Sequence, residues 1–383
     1  MISLDIHRYD TIKEQYFDSV YASLGRMNYA KYHVSKDNLF IRELVYTLYK
    51  CDLIKNLVDK NNDKYYLLTY HAKDVDIFKD EMLSAAVRSL VLADVTVLRK
   101  TVEEFMKGRA FAEWCEYDRL RNTKAIKKTA AEKAREQQLK DEYGFLLYFA
   151  ERSYENMRNQ KIDLGNGVKT EIPKCIVSAL GIRTCPYCNR GFIGVTGGQL
   201  LGVQLDHFYN RRYFPFLAVS LYNLVPCCGV CNHIKRDDMT DIISPYEDDA
   251  NFDKAVHFTY EIPKSGIKDP DGGKRRLSIE VNEPDAYKRQ RYQNNIDMFR
   301  LKETYEFQEI EAERFYEKML AYPESRLREI EKHFKENSDY SVTVADLEEA
   351  LFREYFSDPS DYTQKPMAKF YRDLYYNIKG WKQ

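Results

Sequence analysis

No run of apolar residues in this 383-residue chain approaches the roughly 18 needed to cross a bilayer, so no membrane-spanning helix is expected. The opening MISLDIHRYD lacks the basic, apolar and small-residue regions of a secretory signal, which makes the cytoplasm the expected compartment. Charge of one sign is missing too: 59 basic and 60 acidic side chains nearly cancel. Whole-chain charge therefore points to no nucleic-acid partner, although it leaves room for a local positive surface. There is no internal repeat, no low-complexity linker and no GxxxxGK[ST] phosphate loop.

Apolar residues make up 44% of the chain and aromatics 14%, enough for two or three folded units and too much for a disordered or collagenous polymer. Residues 1–160 read as mainly helical. One helix is expected near 37–50 and another over 81–107, where Leu83, Val87, Leu90, Val91, Val95, Leu98, Val102 and Phe105 recur at three- and four-residue spacing. Arg119 to Lys140 holds eight basic and two acidic side chains on helix-favouring residues, either a solvated helix or a positive strip for a phosphate backbone, with Lys124, Lys127 and Lys128 as candidate contacts. A further helix is expected near 142–158. Beyond the glycine-marked DLGNGVKTEIP lies a compact module over 171–250, with two short strands, 192–195 and 203–208, about the turn Thr196-Gly197-Gly198-Gln199. Helical patterns return from about 287, giving a mainly helical region over 251–383 that includes VADLEEALFREYF and KFYRDLYYNI. The expected class is α+β.

Five of the eight cysteines fall between 185 and 231. Cys185-x2-Cys188 and Cys228-x2-Cys231 are two knuckles, each able to turn both sulfurs toward one ion, and together they supply the four tetrahedral thiolates that zinc accepts. Cys227 offers an alternative partner but breaks the x2 spacing. Four thiolates leave no position for water, so such a zinc would be structural. Cys51, Cys115 and Cys175 stand apart as incidental thiols.

Between the knuckles runs LDHFYNRRYFPFLAVSLYNLVPCCGVCNHIK. It supplies an imidazole to deprotonate water (His207), oxygen donors for a hard cation (Asp206 and Asn232) and a polar group to fix the base (Asn223). Arg211, Arg212, Lys235 and Arg236 add local positive charge, and Lys235, three residues after Asn232, is expected on nearly the same helix face.

LDHF followed by YNLVPCCGVCNHIK resembles the HNH, or His-Me finger, nuclease motif in its Asn-ending form, framed by two CxxC knuckles. The resemblance implies a beta-beta-alpha metal finger and metal-dependent cleavage of a nucleic-acid phosphodiester. It makes His207 the general base, Asn223 its orienting group, and Asp206 and Asn232 the ligands of a divalent ion, usually Mg2+. CPYCNR, SPYEDDANF and NNIDMFRL extend a more diffuse similarity to nucleases of the Septu and retron-associated anti-phage defence modules, which implies an ATPase partner. Without a phosphate loop here, that ATPase is another chain. DNA is the expected substrate. RNA cleavage, a zinc-stabilised nucleic-acid binder and a helical interaction scaffold are the alternatives left open by the residues alone.

Overall fold

The computed structural model describes residues 1–27, 44–45, 47–48, 53, 80–163, 167–261, 277–337, 341–354, 356 and 361–380. The helix expected near 37–50 lies mostly outside the described residues, as does Cys51. No described helix is long and apolar enough to cross a membrane.

The amino-terminal region is helical. α1 (Lys13–Gly25) is followed by α2 (Asp80–Val91), α3 (Val95–Lys107), α4 (Arg109–Asn122) and the 30-residue α5 (Ala130–Asn159). The single helix expected over 81–107 is two. Asp94 breaks it, accepting a hydrogen bond from Val97 N at 2.8 Å and so capping α3. The apolar spacing survives the break because both segments bury their stripe in the same core. Likewise α4 and α5 interrupt the helix expected over 119–140, and α5 starts at a capping box in which Thr129 and Glu132 satisfy each other's backbone.

Two short strands, β1 (Lys161–Asp163) and β2 (Lys169–Glu171), form a hairpin ahead of α6 (Ile172–Leu180). The next pairing differs from expectation. Gly197 and Gly198 both take positive φ, at 57° and 73°, and make a two-residue turn that joins β3 (Gly194–Thr196) to β4 (Gln199–Leu201). β5 (Val203–His207) is thereby left to pair with β6 (Leu224–Cys228), in a register that sets Asp206 opposite Val225 and His207 opposite Leu224. α7 (Gly229–Lys235) follows directly and packs on both strands. The strand expected at 203–208 therefore exists, but its partner arrives some twenty residues later, through a bond pattern that local periodicity does not reveal.

The remainder comprises the hairpin β7 (Val256–Tyr260) and β8 (Leu277–Val281), then α8 (Ala286–Met298), α9 (Leu301–Glu306), α10 (Glu309–Ala321) and α11 (Glu324–Asn337). VADLEEALFREYF is helical over Val344–Glu348 and continues as a π-helical turn over Glu349–Arg353. α12 (Ala368–Ile378) closes the chain and packs on β7. The protein is α+β, with helices predominating and four two-stranded antiparallel sheets among the described residues.

One hydrophobic core runs through all three sequence regions. Tyr16 donates to the Val219 carbonyl at 2.8 Å, Ser220 to Leu90 at 2.8 Å, and Trp114 to Arg212 at 2.7 Å, tying the amino-terminal helices to the cysteine module. From the other side Tyr305 donates to the Cys188 carbonyl at 2.7 Å and Met367 N to that of Asn189 at 2.6 Å. The module is gripped from both flanks.

Candidate functional site

The Sγ atoms of Cys185, Cys188, Cys228 and Cys231 lie within 4.8 Å of one another, and all four residues are buried. Local structure explains the approach. Cys185 N donates to the Gly191 carbonyl at 2.9 Å and Asn189 N to that of Cys185 at 2.7 Å, folding the first knuckle into a tight loop. Gly191 is needed there, since a Cβ would stand 2.8 Å from the Cys228 Cβ. The second knuckle spans the end of β6 and the first turn of α7. Burial pushes the Cys185 thiol well above its ordinary range, while hydrogen bonding from the neighbouring sulfurs holds Cys188 well below. Four thiolates this close repel one another unless a cation sits among them, so the cluster can hold a metal ion such as zinc. Cys227, buried on the same strand, is not in the cluster.

Consecutive strand residues point to opposite faces, and this separates Asp206 from His207. Asp206 turns inward and is 3% exposed. Its Oδ2 accepts from the Tyr187 hydroxyl at 2.7 Å, and burial, with the carboxylate next, raises that tyrosine well above its usual range, so it remains a donor. Lys235 Nζ completes the arrangement, 3.1 Å from Oδ2. Lys235 is not on the solvent face expected for it: it is 1% exposed, four residues after Cys231 on the inner side of α7, and also donates to the His207 carbonyl at 2.8 Å.

His207 is half-buried, with Nε2 2.9 Å from the Ala218 carbonyl oxygen and its ring edge-to-face with Tyr154, centroids 4.6 Å apart. A carbonyl only accepts, so Nε2 carries the proton and Nδ1 keeps the lone pair of a neutral imidazole. Burial lowers the imidazole pKa from its ordinary 6.5 to about 4, assisted by the nearby cations of Arg211 and Lys235. Asn223 is fully buried and does not touch the ring. Its Oδ1 accepts from Tyr209 N at 2.7 Å, and its Nδ2 donates to the carbonyls of Tyr209 and Leu217 at 3.0 and 3.1 Å. It holds both ends of the loop whose Ala218 carbonyl orients His207.

His207 opens into a cleft of about 370 Å³ whose lining includes Tyr154, Arg158, Gln204, Arg211, Asn232 and Arg236. Asn232 Nδ2 donates to Gln204 Oε1 at 2.6 Å, which fixes the amide and leaves its Oδ1 as the free end. Arg211 and Arg158 lie on the Tyr154 ring, 5.3 and 5.7 Å from its centroid. No carboxylate among the described residues pairs with Arg158, Arg211 or Arg236. Arg212 differs: Asp118 holds it at 2.8 Å, and Asp237 contacts it as well.

The stretch from Arg119 to Lys140 is less positive than its composition. Lys128 pairs with Glu136 at 2.6 Å, Arg135 with Glu116 at 2.9 Å, and Arg121 with Asp118 at 2.8 Å. Lys124 and Lys127 stay exposed, in the connection between α4 and α5. Tyr154 lies 25 residues along α5 from its Thr129 cap, a helical rise of about 40 Å, so this basic tip is remote from His207.

Tyr154, Arg158 and Gln204 belong to the site although their residue types gave no warning. Tyr154 and Arg158 are one helical turn apart on α5, a spacing indistinguishable from ordinary helix packing until the helix is laid beside β5. Gln204, two residues before Asp206, reads in the sequence as one polar residue among several in the strand VQLDH.

Comparison with known protein families, curated proteins and solved structures finds no match for this chain.

Proposed function

We propose that this protein is a divalent-metal-dependent endonuclease that hydrolyses DNA phosphodiester bonds, with β5, β6 and α7 as its ββα finger and zinc as the structural ion on the four cysteines. The observation that carries the reading is the placement of His207: its imidazole is anchored through Nε2 by the Ala218 carbonyl, in a cleft with three arginines that no carboxylate among the described residues neutralises.

A phosphodiester is an anion, and Arg158, Arg211 and Arg236 draw it into the cleft. His207 Nδ1 then accepts a proton from water as that water attacks phosphorus, and the Nε2–H to Ala218 bond holds the ring while positive charge develops. Asn223 acts one step back, by fixing the loop that carries Ala218. Asp206 and Asn232 would hold the divalent ion. Both Asp206 oxygens already meet the Lys235 ammonium and Oδ2 also accepts from Tyr187, so an ion on this carboxylate would have to displace Lys235, with Asn232 Oδ1 as its neutral oxygen. Two protein oxygens, with water and phosphate completing the shell, suit Mg2+. When bound, that ion supplies Lewis-acid charge on the phosphoryl and leaving oxygens.

The deciding experiment compares DNA and RNA of one sequence, incubated with Mg2+ and either the unchanged protein or His207→Ala prepared identically. Loss of a general base should slow DNA cutting by roughly a hundredfold or more. Equal rates with the two proteins overturn the reading, and cutting of RNA alone moves the substrate. A role in anti-phage defence beside a separate ATPase chain belongs to the same proposal. Co-expression with neighbouring genes and mass measurement of the complex tests it, and a chain that stays alone while cutting at full rate rejects it.

A further inference from the structure

The cleft at His207 is two-sided in chemistry. Besides the arginines its lining includes Leu200 of β4 and the half-buried Val203 and Leu205, which share the His207 face of β5, together with the buried Pro173 and Val177 of α6. Leu200 is 36% exposed, so part of this apolar surface is uncovered. In the other direction the cleft continues past Gln204, Asn210, Arg211, Asn232 and Arg236 into a wider basin lined also by Arg121, Arg212 and His233. The basin also carries Glu151 and Asp237, and Arg121 and Arg212 are paired with Asp118, so Arg158, Arg211 and Arg236 are the arginines left to meet a phosphate.

An intact duplex does not use such a trough well. It presents phosphates and sugars outward and keeps its base faces stacked, so the arginines would be satisfied while Leu200 and Val203 stayed against water or sugar. A strand with an unstacked base satisfies both kinds of surface, since its phosphate meets the arginines and its flat apolar face covers the leucine and valine.

We infer that the trough takes a DNA strand with one base turned out of its stack against Leu200, Val203 and Leu205, so that single-stranded or locally opened DNA is bound in preference to intact duplex. This rests on the nuclease reading of the same site and adds the form of the substrate to it. Leu200 thereby selects, and Arg211 and Arg236 hold.

The test uses full-length His207→Ala protein, which retains the trough, and 2-aminopurine placed at one position in three DNAs of the same sequence: a single strand, a blunt duplex, and a duplex with a three-nucleotide central bubble. Binding is followed by anisotropy of an end label and unstacking by 2-aminopurine emission. The expected result is roughly tenfold tighter binding of the strand and the bubble than of the blunt duplex, with an emission rise on binding. Adding Leu200→Asn, an exposed change that the fold tolerates, should remove both the preference and the rise. Adding Arg211→Gln should weaken all three DNAs alike. Equal affinity for the three DNAs, or an emission rise that Leu200→Asn leaves intact, overturns the inference. If the unchanged protein cuts DNA while emission stays flat, only this inference falls; if no DNA binds, the nuclease reading falls with it.

Discussion

Lys235 Nζ lies 3.1 Å from the Asp206 carboxylate and 2.8 Å from the carbonyl of His207, and both charged side chains are buried. One ammonium thus joins the end of α7 to the last two residues of β5. Removing one partner of a buried pair strands the other charge. Lys235→Met should therefore destabilise the protein by about 3–5 kcal/mol, and the Lys235→Met, Asp206→Asn double variant should recover part of that loss. Denaturant unfolding of the four proteins measures it; simple additivity would mean that the pair is not coupled. If Asp206 also holds a divalent ion, added Mg2+ should raise the melting temperature of Lys235→Met more than that of the unchanged protein.

The zinc assignment separates five neighbouring cysteines. Cys185→Ser, Cys188→Ser, Cys228→Ser or Cys231→Ser should each lower bound zinc well below one ion per chain and loosen the module. Cys227→Ser should keep the ion, because Cys227 stands outside the cluster. Elemental analysis of purified proteins checks this, and a zinc-free but folded native protein would defeat the assignment.

The pH dependence follows from His207. Its folded pKa, about 4, lies below the ordinary 6.5, so between these values the unfolded chain binds a proton that the folded chain does not. Stability from this residue is complete above about pH 6.5 and declines as pH falls toward 4. As a general base it should already be competent across that window, so kcat/KM should show no rising limb between about pH 5.5 and 7. An NMR titration of the imidazole with a midpoint near 6.5 would contradict this.

Asn223 and His207 should fail differently. Asn223→Ala leaves the Tyr209 amide and carbonyl without their partner and takes from the Leu217 carbonyl one of its two donors, the other being Ser220 N, and should cost about 2–3 kcal/mol of stability together with cleavage. His207→Ala should lose cleavage at nearly unchanged stability. Thermal melts beside cleavage rates distinguish the two, and an Asn223→Ala protein as stable as the parent would exclude the positioning role.

The basic tip of α5 should act only at long range. Lys124→Ala with Lys127→Ala should leave DNA shorter than about 12 base pairs unaffected, because the helix carries that tip about 40 Å from Tyr154. On longer DNA the pair should lower affinity and reduce the salt slope together. An equal effect at all lengths would place those lysines near the cleft and conflict with the helix geometry.

Residues whose chemistry is local were legible from the chain alone. The x2 spacing of each cysteine pair already brings two sulfurs to one side of a tight loop, and the apolar spacing of Leu83 to Phe105 already marks a helix face. The α+β class and the four-cysteine cluster followed from such short-range signals. Long-range pairing did not. Gly197 and Gly198 close β3 on β4, and only the folded chain brings β6 to β5, which decides that Asp206 faces Lys235 while His207 faces Tyr154. The same holds for charge. The eight basic residues between Arg119 and Lys140 are compatible by composition with a solvated helix or a positive strip, and Glu113, Glu116 and Asp118 on α4 and Glu136 on α5 neutralise much of that charge. Composition counts charges wherever they fall, whereas an electrostatic surface depends on which opposite charge folding brings within 3 to 4 Å, and that distance is set by tertiary packing.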